Sequence, residues 1–214
     1  MPRIISSRRD QSIDFSRELS RAVFEAVAPS THPDMTSFRI ARAVATKLGA
    51  RIALSGLPTG PRNDLGRGYS ANRALVVEML ARALGRRATR AVQDLREPDA
   101  ATWASELAEE FPRWFECEVS CGPGWSHLLH VLAERLRDLN PSRDFGFGQV
   151  KEKYGELCCY SVGADGIVGG VIEAAEVASS ALCETCGAPG ELWVDAGYYH
   201  TACSEHGRGG RARE

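Results

Sequence analysis

The sequence predicts an α+β fold: a helical N-terminal half, then a small mixed α/β domain ending in a zinc ribbon or treble-clef-like knuckle. Three observations carry this. Apolar residues recur four apart at Phe15, Leu19, Val23 and Val27, the spacing of one helix face. Two strand-like runs flank Tyr154-Gly155, a hairpin signature. Finally, Cys183-Glu-Thr-Cys186 and Cys203-Ser-Glu-His206 stand sixteen residues apart, with ligand spacing suited to a tetrahedral ion. A chain of 214 residues is large enough to bury a substantial core. It divides by pattern into a mainly helical region (1–105), a strand-helix-hairpin-helix domain (106–182) and a zinc knuckle with a basic tail (183–214).

In order along the chain, Ser12 or Asp14 caps the first helix, and Pro29 to Pro33 breaks it. Thr36 is expected to open a second helix with Phe38, Ala41, Val44 and Leu48 on one face, stopped by Gly49. Arg51 to Leu54 reads as a short strand, and residues 57–69, rich in Gly and Pro, read as a surface loop. Ser70 is expected to cap a third helix through Leu84. A fourth ends near Pro98, and a fifth carries Trp103, Leu107 and Phe111. Arg113 to Ser120 reads as a strand with Trp114 or Phe115 inward. Cys121-Gly-Pro-Gly124 is a turn, and Ser126 caps a helix with Leu129, Leu132, Leu136 and Leu139 in the core, ended by Asn140-Pro141. The hairpin 147–153/156–162 follows. Asp165 then caps an Ala-rich helix whose Gly169 and Gly170 mark an expected close packing contact.

In the terminal segment, two residues between paired ligands let one tight turn aim both side chains at a single ion. Gly187 follows the second Cys, where a positive φ is needed. Glu191 to Thr201 reads as a hairpin turning at Asp195-Ala196-Gly197. Cys183, Cys186, Cys203 and His206 are the expected ligands of one Zn2+, with His200 a competitor for the fourth place. Four protein donors leave no open position, so the ion is expected to be structural rather than catalytic.

From about Trp114 onward the chain resembles a group of uncharacterised bacteriophage and prophage proteins. The resemblance rests on Cys121-Gly122-Pro123-Gly124-Trp125, on Gln149-Val-Lys-Glu-Lys-Tyr-Gly155, on Cys183-x-x-Cys186-Gly187-x-Pro189-Gly190 and on Cys203-x-x-His206. It implies His206 rather than His200 as ligand, a phage or prophage setting and so the cytoplasm of a bacterial host; it implies no activity. Cys158-Cys159 departs from the Leu-Arg-Phe-Tyr pattern of such sequences, and the first hundred residues lie outside the resemblance.

The remaining signals are weaker. Seven cysteines, an odd number, fit a reducing compartment better than a disulfide framework. No secretory signal is evident, and the apolar run 167–182 is too short and too charged to span a bilayer. Cys117, Cys121, His127 and His130 have spacing compatible with a second metal, though buried thiols and surface imidazoles read more simply. Cys158 and Cys159 point to opposite faces of a strand, which suits small apolar fillers. Walker, G-x-S-x-G, H-E-x-x-H and Rossmann patterns are missing.

The expected function is therefore non-enzymatic: a zinc protein binding a macromolecular partner. A protein partner is preferred, because the net charge is −2 and Trp193, Tyr198 and Tyr199 offer aromatic contacts. One alternative is a DNA-binding regulator, with a helix-turn-helix-like segment at 75–95 pivoting at Gly85 and presenting Arg82, Arg86, Arg87 and Arg90. Another is a nuclease or hydrolase of unrecognised site.

Overall fold

The computed structural model describes residues 13–27, 36–58, 71–95 and 98–212. Helix α1 (Phe15–Val27) forms as its apolar stripe predicts and buries Phe15, Leu19, Ala22, Val23, Ala26 and Val27. Asp14 caps it by accepting the N–H of Arg17 at 3.1 Å. Ser12, the 29–33 break, Ser70 and most of the 57–69 loop lie outside the described residues.

The helix expected from Thr36 is instead a strand. β1 (Arg39–Thr46) and β2 (Gly49–Ser55) form an antiparallel two-stranded ribbon. The correction has a clear cause. Phe38, Ile40, Ala43, Ala45, Ala50, Ile52 and Leu54 pack on the core with a period near two, adjusted by a bulge between Ile40 and Arg42. The positions that fitted a helical face, Ala41, Val44 and Leu48, are all exposed. β-branched Ile40, Val44, Thr46 and Ile52 favour the pleated form. Gly49 accordingly stops no helix: it is the first residue of β2, at φ +125°.

α2 (Arg73–Val92) runs twenty residues, capped by Asn72, whose side chain accepts from Ala74 N–H at 2.9 Å. The two helices expected here, with a pivot at Gly85, are thus one continuous helix. A single internal glycine costs a helix only about 1 kcal/mol. Gly85 is where the ribbon crosses: a Cβ there would lie 2.8 Å from the Cβ of Ala50. α2 is the central rod, touching α1, both ribbon strands and the later helices at Ser126–Leu139 and Gly166–Ser179.

α3 (Trp103–Glu110) buries Trp103 and Leu107. Of the strand expected over 113–120, only β3 (Glu118–Ser120) forms. Trp114 and Phe115 are both buried, which a period-two strand does not allow, because the chain turns there. A 3-10 turn (Pro123–Trp125) leads into α4 (Ser126–Leu139), so Ser126 is a buried first helical residue and not the expected cap. Leu129, Leu132 and Leu136 are fully buried, and Leu139 packs at the margin. Asn140 ends α4 in the left-handed conformation, φ 47°.

β4 (Gly146–Lys153) pairs parallel to β3 and antiparallel to β5 (Glu156–Val162). Tyr154 (φ 56°) and Gly155 (φ 82°) both take the positive φ of a two-residue hairpin turn. α5 (Gly166–Ser179) starts at Asp165, whose carboxylate accepts from Ile167 and Val168 N–H at 2.9 and 2.8 Å. The packing contact expected at Gly169 and Gly170 does not occur: a Cβ on either meets nothing within 4 Å. α5 instead closes the free edge of β5. Ser179 Oγ accepts from Leu157 N–H (2.8 Å), and the Glu176 carboxylate accepts from Cys159 N–H (2.7 Å).

The terminal segment holds β6 (Glu191–Asp195), β7 (Tyr198–Ala202) and the short β8 (Gly210–Arg211), in sheet order β7-β6-β8. Ala196 and Gly197 form the β6–β7 turn at φ 48° and 87°. Buried side chains from Phe15 to Leu182 make one continuous cluster, so the helical half and the mixed region share a core. Cys183, Ala202 and Cys203 nucleate a second cluster. Among the described residues, no helix is long and apolar enough to cross a membrane.

Candidate metal centre

Two tight turns bring Cys183, Cys186, Cys203 and His206 together, with all four ligand atoms within 4.8 Å of one another. The first turn closes through Gly187 N–H to the Cys183 carbonyl (2.8 Å) and Cys183 N–H to the Ala188 carbonyl (2.7 Å). The second closes through His206 and Gly207 N–H to the Cys203 carbonyl, at 3.1 and 2.8 Å. The β6–β7 hairpin joins them.

The edges of this cluster decide whether an ion fits. A tetrahedron with metal–sulfur bonds of about 2.3 Å and metal–nitrogen bonds of about 2.0 Å has S···S edges of about 3.8 Å and S···N edges of about 3.5 Å. Cys186 Sγ to Cys203 Sγ is 3.8 Å, while His206 Nδ1 lies 3.7 Å from Cys183 Sγ and 3.2 Å from Cys203 Sγ. The four donors can therefore hold a metal ion and fill its shell. His200, the rival ligand, is outside the cluster and accepts from Arg208 N–H at 3.3 Å. A hydrogen bond from Cys186 pulls the Cys183 thiol down to about 4. Burial opposes this, and backbone N–H groups of Cys203, Cys186 and Thr185 assist it. The same hydrogen bond raises the Cys186 thiol, so within this pair Cys183 is the thiolate and Cys186 the donor.

Neither protein-family models, nor curated proteins, nor solved structures match this chain.

The knuckle is clasped by the body beneath it, through residues that spacing rules did not single out. Gly122 N–H donates to the Glu184 carboxylate (2.8 Å), and Gly124 N–H donates to the Glu184 carbonyl (2.7 Å). A Cβ on Gly124 would sit 2.3 Å from the Cys183 carbonyl oxygen and 2.5 Å from Gly187 N. Gly187 (φ +69°) needs glycine for its turn and again for its approach to the Gly124 carbonyl. Trp125, fully buried, donates its indole N–H to the Leu182 carbonyl at 2.8 Å. The two glycines and tryptophan of the Cys-Gly-Pro-Gly-Trp turn were the available signal: glycines beside a large anchor mark a close backbone approach.

Arg87 completes the clasp. Its Nε donates to the Cys186 carbonyl (3.0 Å), and its Nη1 bridges both Glu18 oxygens at 2.9 Å. Two other α2 arginines also face acids: Arg82 pairs with Glu78 and Glu134, and Arg86 with Glu134. Arg90 lies one turn further along the same helix.

The aromatic residues of the metal hairpin separate into two environments. Trp193 is half-buried: it donates to the Ala202 carbonyl (3.0 Å), packs on Gly207 and carries the Arg211 guanidinium 5.4 Å above its ring. Tyr198 is 80% exposed, and Tyr199, 43% exposed, meets Tyr154 edge-on at 6.4 Å. The β4–β5 turn is locked to the hairpin by Thr201 Oγ1 donating to the Gly155 carbonyl at 2.6 Å.

Among the described residues the second metal group does not assemble. His130 Nδ1 lies 2.8 Å from the Ser126 carbonyl, and its Nε2 lies 3.2 Å from Glu110. Burial first, then Glu184 and Glu152, pushes Cys121 up to about 12. Burial and then Glu176 raise Cys159 as well. These thiols act as apolar filling.

Proposed function

We propose that the protein is a non-enzymatic binding module whose C-terminal knuckle is braced by one structural Zn2+ and whose exposed tyrosines engage a partner protein. The observation that carries the reading is the closed donor set. Three sulfurs and one imidazole nitrogen can fill the four vertices of a tetrahedral ion, which would leave substrate or water no place on it. Among common metals, a thiolate-rich tetrahedral set suits zinc. The ion supplies folding free energy to the knuckle, and Cys183, Cys186, Cys203 and His206 supply the shell.

The braced hairpin supports accessible tyrosines on both of its faces, Tyr199 beside Tyr154 on one and Tyr198, its neighbour in β7, on the other. Tyr198, Tyr199, Tyr154 and Tyr160 are exposed, and Lys151 and Lys153 lie over the Tyr160 and Tyr154 rings at 5.0 and 5.7 Å. Tyrosine supplies large contact area with a polar tip, the composition favoured at protein interfaces. Beside Tyr198 a groove of about 620 Å³ is lined by Asp195, His200, Glu205 and Arg208. As part of this proposal, the resemblance of the last hundred residues to phage and prophage proteins supports a partner in a bacterial host or its phage.

Two measurements test the reading. Native mass spectrometry is expected to show one zinc per chain, lost in Cys186→Ser. A pull-down from host lysate is expected to enrich a protein that Tyr154→Ala/Tyr198→Ala/Tyr199→Ala no longer retains, with zinc content unchanged. Retention by the triple variant would refute the tyrosine contacts, and a metal-free wild-type chain would refute the brace.

A further inference from the structure

The β1–β2 ribbon is a cationic run free of acids. Residues 36–57 contain Arg39, Arg42, Lys47 and Arg51 and no Asp or Glu, while the whole chain has a net charge of −2. Everything outside the ribbon therefore sums to −6. On α2 the cations Arg82, Arg86 and Arg87 are matched by Glu78, Glu134 and Glu18. On the ribbon, Arg42, Lys47 and Arg51 make no ion pair among the described residues, and Arg39 bonds only to the Thr36 and Phe38 carbonyls, both at 2.7 Å.

The geometry gathers these cations. Ile40, Ala43, Ala45, Ala50, Ile52 and Leu54 hold the inner face on the core. Arg42 and Val44 on β1, with Arg51 and Ala53 on β2, are exposed and form the opposite face. Val44 pairs with Arg51 and Arg42 with Ala53, so the two arginines are diagonal neighbours about 7–8 Å apart with low side chains between them. Lys47 and the 93% exposed Leu48 form the tip, anchored by Gln93 Nε2 donating to the Lys47 carbonyl at 2.8 Å. Asp94 follows Gln93, and in sequence the acids nearest the tip are Asp34 and Asp64. The ribbon is packed from behind, at Gly85, and among the described residues its outer face is exposed.

We propose that this face is a docking surface for double-stranded DNA, contacting the phosphates that flank the major groove through Arg42, Lys47 and Arg51. Unpaired guanidinium and ammonium groups on an otherwise acidic molecule complement a polyanion, and a two-stranded ribbon has the width that a B-form major groove admits. An A-form RNA duplex, with its deep and narrow major groove, does not fit it. This surface is distinct from Arg82, Arg86 and Arg87 of α2, which are matched by acids within the fold.

The test is fluorescence anisotropy of the full zinc-loaded chain with a labelled DNA duplex, a single strand of the same sequence and an RNA duplex. Three phosphate contacts predict a log–log salt slope of about −2.7 for the DNA duplex, or an affinity loss of about 40-fold between 50 and 200 mM salt. Arg42→Ala/Lys47→Ala/Arg51→Ala, all exposed positions, is expected to weaken binding at low salt at least about tenfold and to flatten the slope. The triple lysine/arginine-retaining exchange Arg42→Lys/Lys47→Arg/Arg51→Lys is expected to restore it. No binding of DNA duplex at low salt, equal binding by the alanine variant, or tighter binding of single strand, RNA duplex or anionic vesicles would each overturn the proposal. None of these outcomes bears on the zinc site.

Discussion

Glu176 is a half-buried carboxyl on α5 that accepts the Cys159 amide at 2.7 Å. Its pKa rises from 4.5 to about 7, mainly through burial, with Glu173 and Glu156 adding repulsion and the Cys159 hydrogen bond opposing. A carboxyl whose pKa is raised by folding binds its proton more tightly in the native state. Stability from this group is therefore present below about 4.5 and is lost as pH climbs from there to about 7. At about 1.4 kcal/mol per pH unit, allowing for solvent screening, the loss is roughly 2–3 kcal/mol. Glutamine keeps an oxygen acceptor for the Cys159 amide but cannot ionise. Glu176→Gln should thus gain on the wild type by roughly 2–3 kcal/mol between pH 4.5 and 7.5, with no further gain above. Urea denaturation of both zinc-loaded proteins at matched pH measures the difference, in which metal-ligand protonation cancels. A stability difference that stays flat across the window would refute the account of a raised carboxyl.

Other expectations concern the clasp. Cys186→Ser, or chelation of the wild type, should release the ion and expose the 183–212 amides to hydrogen exchange while α4 stays protected. Zinc content and exchange mass spectrometry read both. Gly124→Ala drives a methyl into the Cys183 carbonyl, 2.3 Å away, and should cost about 3 kcal/mol or more in thermal denaturation. Arg87→Met leaves Glu18 without this guanidinium and the Cys186 carbonyl without its donor. It should cost about 3 kcal/mol, and Arg87→Lys should recover only part because an ammonium lacks the fork that reaches both groups.

The residues with the strictest local chemistry were readable from sequence. Ligand spacing located the knuckle, the α1 stripe located its helix, and positive-φ demands located the Tyr154-Gly155 and Ala196-Gly197 turns. What failed was decided at long range. Val44 and Leu48 fitted a helical face only because alanines on either side suit both periods. Packing on α1 and α2 selected the strand. Gly85 looked like a pivot because a glycine within a helical run also signals a turn. Its partner, Ala50, lies 35 residues away and is invisible to any local window. The same distance hid Arg87, whose charge resembled a phosphate contact until Glu18 and Cys186 were placed beside it.

The clasp also dictates an order of events. Its bonds join residues 62 apart (Gly122 to Glu184), 57 apart (Trp125 to Leu182) and 99 apart (Arg87 to Cys186). Closing such spans costs chain entropy before any contact returns it, whereas each metal turn closes within a few residues. With the proposed ion, the knuckle is expected to close as a local event and to dock afterwards as a preformed piece. Refolding in limiting zinc should accordingly leave the Trp125 seat as the last part of the molecule to be filled.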